Sequence, residues 1–150
     1  MDAFDADVLI YAAIPGHPLG ERVAALFSAR PGGKPAGKPA GKRAAPVGVG
    51  SVLLLPEVLA KPLKDGQADA VRTLSVLLAR LDLRPVDRAT AELATVLGAR
   101  YRLRAADAVH LATAVGLGAH RFITNNSKDF GGIVKEIDVT FPADLPEPAG

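Results

Sequence analysis

The sequence contains no cysteine and no tryptophan, and aromatic residues fill only 5% of its 150 positions. Without cysteine there is no disulfide and no thiolate metal site, which fits a reducing cytoplasm as the expected location. Without tryptophan, and with few other rings, a base-stacking platform for single strands is not expected. No apolar run approaches membrane-spanning length, and the first residues lack the basic start and long apolar core of a signal peptide, so no membrane association is expected. There is no Gly-rich loop ending in Lys-Ser/Thr and no nucleophile elbow, which weakens any reading as a phosphate-loop enzyme or an α/β hydrolase.

What is present suffices for a core. Hydrophobic residues make up 49% of the chain, and a chain of this length is expected to form one domain, here 1–141, with a Pro-rich tail at 142–150 that frays. Strand and helix signals alternate along it. Residues 3–13, AFDADVLIYAA, begin as a short strand and turn to helix, with Asp7 expected to cap 8–13. Asp5 then stands at the carboxyl end of a strand, where parallel sheets place ligands. An amphipathic helix over 19–30 presents Val23, Leu26 and Phe27 inward. A buried strand at 47–51 leads to a helix at 52–64, with Ser51 as its expected cap and a kink expected at Pro56. A helix at 69–81, a strand and turn at 82–87, and a helix to about 101 capped by Asp87 or Thr90 follow. Apolar residues at three- and four-residue intervals then mark a helix around 106–115, stopped by Gly116 and Gly118. A strand at 121–124, a polar loop at 125–129 and a last strand at 137–141 complete an α/β chain with a mostly parallel sheet.

One stretch differs in kind. Residues 31–46 repeat a Gly-Lys-Pro-Ala unit too rich in Gly and Pro for helix or strand, and read as a flexible insertion between core elements. With Arg30 just before it, Lys34, Lys38, Lys42 and Arg43 give residues 30–46 a charge of +5 without an acid. The whole chain carries +2, so the remainder carries −3 and the protein is a mildly acidic body with a basic loop. A compositionally biased insertion is the plainer reading of that loop, and contact with RNA the functional one.

Four acids stand at strand ends or helix starts: Asp5, Glu57, Asp107 and Asp129. The segment D-A-D-V-L-I-Y at Asp5, S-V-L-L-L-P-E-V-L around Glu57, A-D at Asp107 and T-N-N-S-K-D-F ending at Phe130 resemble the motifs of PIN-domain ribonucleases, in particular VapC-type toxins of toxin–antitoxin pairs. Ala6 departs from the family's usual hydroxyl, and Asp7 replaces its usual amide or hydroxyl. The resemblance covers nearly the whole chain outside the insertion and tail. It implies a three-layer α/β/α sandwich, a metal-dependent endoribonuclease using Asp5, Glu57, Asp107 and Asp129, a protein antitoxin as partner, and a possible homodimer. Asp5, Asp107 and Asp129 would hold the metal, with Asp7, Thr124 and Asn126 in support; whether Asn126 or Asp129 fills the fourth corner stays open. Carboxylates crowded into one small volume repel, so a divalent cation is expected among them, and oxygen ligands favour Mg²⁺ or Mn²⁺ over Zn²⁺. The alternative is an inactive module of the same fold that binds RNA or protein through the same groove. His110, three residues past Asp107 on the same helix, is within reach of the site, but all three histidines, His17, His110 and His120, are read as structural.

Overall fold

The computed structural model describes residues 1–28 and 45–149. The basic candidates Arg30, Lys34, Lys38, Lys42 and Arg43 lie outside the described residues. Among the described residues five strands form one sheet: β1 (Asp2–Phe4), β2 (Gly48–Ser51), β3 (Leu81–Arg84), β4 (Arg121–Ile123) and β5 (Asp138–Thr140). Their order across the sheet is β3-β2-β1-β4-β5, and every pairing is parallel. The expected "mostly parallel" sheet is therefore parallel throughout. The chain leaves β1 for β2 and β3 on one side and reaches β4 and β5 on the other. That reversal opens a crevice at the carboxyl ends of β1 and β4, where open parallel sheets bind ligands.

Strand alternation builds two cores. Phe4, Ile123 and Leu81 face one side, where α1 (Ala6–Ala12), α2 (Pro18–Ser28), α3 (Leu54–Lys64) and α4 (Ala68–Ala79) bury Leu9, Val23, Phe27, Leu54, Val58, Leu74 and Leu78. Ala3, Val49 and Phe122 face the other, covered by α5 (Arg88–Tyr101) and α6 (Ala105–Gly116) through Ala94, Leu97, Ala108, Leu111 and Ala112. The result is the three-layer α/β/α sandwich. Helices α1 and α2 cross closely at Gly20, where a Cβ would collide with the Tyr11 carbonyl. Among the described residues no helix is long and apolar enough to cross a membrane.

Several local expectations are corrected. Asp5, not Asp7, caps α1: its backbone is extended (φ −84°, ψ 164°) and its carboxylate accepts from the Ala6 N–H. Asp7 lies inside the first turn. Helix α3 begins at Leu54 rather than at residue 52, because Ser51 ends β2 and its hydroxyl accepts from the Leu53 N–H at 3.1 Å. Pro56 is the third residue of α3, a position whose N–H has no partner within the helix, so no kink is required there. Of the two candidate caps for α5, Asp87 serves, accepting from both the N–H and the hydroxyl of Thr90. Residues Ser127–Phe130 form a short helix, α7, where a loop is expected. The tail is packed onto the body as far as Glu147. Leu145 is buried against the α1–α4 core, and Arg22 donates to the Ala143 and Leu145 carbonyls and pairs with Glu147.

Candidate active site

The crevice at the switch in strand order is lined with acids. Asp5 follows directly on β1 and is buried. Its Oδ1 accepts from the Ala6 N–H and its Oδ2 from the Thr124 hydroxyl, each at 2.8 Å. Thr124 is equally buried just past β4, and its oxygen in turn accepts from the Asn126 N–H at 3.1 Å. Two adjacent parallel strands thus hold the first acid rigidly at their shared edge.

The other acids arrive on helix starts. Glu57 lies in the first turn of α3, and its Oε2 is 3.0 Å from Nε2 of His110. Ligating atoms of Asp5, Glu57 and His110 all fall within 4.8 Å of one another. Asp107 sits in the first turn of α6, where the helix dipole favours a carboxylate. Burial raises its pKa first, and the charges of Asp5 and Asp129 push it further up. Asp129 comes in on α7. That helix is pinned by the fully buried Phe130, edge-on to Phe122 with ring centroids 5.4 Å apart. Asn126 caps α7 by accepting from the Asp129 N–H, and its amide donates to Asp129 Oδ2 at 2.9 Å. The Asn126 amide thus bonds Asp129 through both its oxygen and its nitrogen, so the two candidates for the fourth corner stand side by side.

Asp7 is the added acid. Its Oδ2 accepts from the Asn125 N–H at 3.1 Å, while its Oδ1 is buried without a partner among the described residues. Burial, and then the Asp5 charge, raise its pKa to about 7. Burial likewise pushes Asp5 upward, against the lowering by His110 and by its own hydrogen bonds. Among the described residues no Arg or Lys pairs with Asp5, Asp7, Glu57, Asp107 or Asp129. A cluster of acids around the buried Asp5, with no Arg or Lys paired to it among the described residues and with one carboxylate oxygen of Asp7 left without a partner there, fits a divalent cation with oxygen ligands.

His110, read as structural from the sequence, is placed by the structure within the site. The signal was its spacing, three residues after Asp107 on one helix face. His17 accepts from the Gly20 N–H and stacks on Tyr11, and His120 bonds the N-terminal amine, both remote in role from the acids. A cavity of about 310 Å³ between α5 and α6, lined by Arg84, Thr90, Thr113 and Leu117, shares no residue with the acid cluster.

A family model described as the PIN domain matches residues 3–133. No curated protein matches the chain. Among solved structures, the chain is similar to one in a toxin–antitoxin complex from Klebsiella pneumoniae, with 26% identity, 95% of this chain and 98% of that one covered, and a TM-score of 0.65. It also matches a chain of VapBC2 from Rickettsia felis bound to a DNA fragment from the promoter, at 14% identity, 93% and 97% coverage and a TM-score of 0.64. A third match is to FitAB bound to an IR36 DNA fragment, at 18% identity, 98% and 99% coverage and a TM-score of 0.64. The last two likenesses speak for the fold.

Proposed function

The chain belongs to the PIN-domain family, and from that premise we propose that it is a metal-dependent endoribonuclease acting as the toxin of a toxin–antitoxin pair. The observation that carries the reading is the set of acids at the carboxyl ends of β1 and β4, unbalanced by any Arg or Lys among the described residues. Asp5, Asp107 and Asp129 would hold Mg²⁺ or Mn²⁺. Once bound, such an ion supplies an activated water and neutralises charge that develops on a phosphodiester.

The chain's own residues do the rest. Thr124 and the Ala6 N–H fix both oxygens of Asp5, so its carboxylate need not reorganise on binding. Asn126, the cap of α7, holds one oxygen of Asp129 by donating to Oδ2. Glu57 has one oxygen on His110, and its side chain is 31% exposed, so the other oxygen can accept from a water approaching from solvent. Arg30, Lys34, Lys38, Lys42 and Arg43 are the proposed contacts to RNA phosphates. An antitoxin as partner and a cytoplasmic location are part of the same reading. It is supported by the family and by the likeness to the Klebsiella toxin–antitoxin complex.

The test is cleavage of single-stranded RNA by purified protein with Mn²⁺, with Mg²⁺ and with chelator. Cleavage that requires the ion and is lost in Asp5→Asn supports the reading. A folded protein that binds RNA but never cuts it would instead be an inactive module of the fold.

A further inference from the structure

His110 has no task in the mechanism above, and we infer that it is a positioning residue that fixes where Glu57 stands relative to Asp5. The two partners come from opposite layers. His110 lies on α6, among the helices on one face of the sheet, and Glu57 on α3, on the other face. Their 3.0 Å contact bridges the layers beside Asp5, at the edge where the acids meet.

The hydrogen-bonding pattern assigns the direction of this bond. An ionised carboxylate only accepts, so Nε2 of His110 carries the proton and donates it to Glu57 Oε2. The other tautomer would set a nitrogen lone pair against the carboxylate. It would also bury an N–H at Nδ1, which has no partner among the described residues. Both penalties favour the Nε2–H form.

The asymmetry in burial gives the bond its use. The imidazole is 1% exposed and already immobilised by packing, whereas Glu57 is 31% exposed and begins with several rotamers open to water. A rigid donor that captures a mobile acid removes those alternatives. Glu57 has no other side-chain partner among the described residues. Glu57 stands beside the ligating Asp5, with ligand atoms of the two within 4.8 Å, so its position shapes the surroundings of the ion rather than its direct ligands. Removing such a supporting contact typically changes metal affinity by about 10- to 100-fold. Because it concerns how the cation site is assembled, this inference rests on the metal-dependent reading above.

Two measurements on the full-length protein test it. The first is a long-range ¹H–¹⁵N spectrum of metal-free protein. The parent is expected to show His110 as the Nε2–H tautomer with a slowly exchanging proton, and Glu57→Ala to lose that protection. The second is calorimetric titration with Mn²⁺ of the parent, His110→Leu and His110→Gln, whose amide can donate from nearly the same place. Binding about 10- to 100-fold weaker in His110→Leu and largely restored in His110→Gln is the expected result. If His110→Gln binds as poorly as His110→Leu, the nitrogen is itself a ligand and the inference is overturned. Binding in His110→Leu equal to the parent also overturns it, leaving the ring as core filler. Should the parent bind no Mn²⁺, the metal-dependent reading fails and the spectrum alone decides: a protected Nε2–H that depends on Glu57 upholds the inference, and its absence overturns it.

Discussion

Asp7→Asn should make the metal-free protein more stable, and only above the acid range. The Asp7 carboxyl has its pKa raised from 3.8 to about 7 by burial and then by the Asp5 charge. A carboxyl whose pKa is higher in the folded than in the unfolded state holds its proton more tightly when folded. Its favourable contribution is complete below pH 3.8 and is lost as pH rises through about 7. At about 1.4 kcal/mol per pKa unit, the ionised side chain costs the fold up to about 4 kcal/mol at pH 8. Asparagine removes the charge and keeps an oxygen to accept from the Asn125 N–H. Urea melts in chelator at pH 4, 6 and 8 should therefore show the variant and parent level in acid and diverging with pH. The gap at pH 8 should be about 2–4 kcal/mol, a rise in Tm on the order of 10 °C. A gap that is constant with pH, or a variant less stable than the parent at pH 8, would refute the account of Asp7 as a buried, uncompensated acid.

Three further outcomes follow from particular contacts. Leu145→Ala empties a buried site under the tail and should cost about 2–4 kcal/mol in urea melts, with faster proteolysis after residue 141; unchanged stability would mean that the tail is not anchored. Asn126→Ala removes the α7 cap and should cost about 1 kcal/mol while slowing cleavage, since Asp129 loses its holder. Replacing Lys34, Lys38, Lys42 and Arg43 by serine should weaken binding of single-stranded RNA and lower the slope of log affinity against log salt by up to about 3, whereas an unchanged slope would make the basic segment a mere insertion.

The alternation of strand and helix was legible because buried parallel strands and amphipathic helices write different periods into the chain. Asp5 was legible as an acid at a strand end, but its capping role was not. Asp5 and Asp7 are equally good caps by residue type, and only the extended backbone at Asp5 distinguishes them. The same limit misplaced the start of α3, where the Ser51 hydroxyl bonds the Leu53 N–H in a turn instead of starting the helix. Helix α7 is four residues long and exists by virtue of the Asn126 cap and the burial of Phe130, neither of which produces a periodic signal. The tail looked unstructured from its proline content, yet its anchors are Arg22 and the core around Phe27, more than a hundred residues away. His110 was hidden for a related reason. Its spacing from Asp107 was visible, but its partner Glu57 is 53 residues distant on another layer.

The central claim is that the acids gathered at the edge of β1 and β4 hold a divalent cation, and anomalous X-ray scattering from crystals grown with Mn²⁺ tests it most directly. The account predicts an anomalous peak bonded to carboxylate oxygens of Asp5, Asp107 and Asp129 at about 2.1–2.2 Å, absent from crystals of Asp107→Asn. Full-occupancy crystals without a peak among these acids, or with Mn²⁺ bound only elsewhere on the surface, would contradict it.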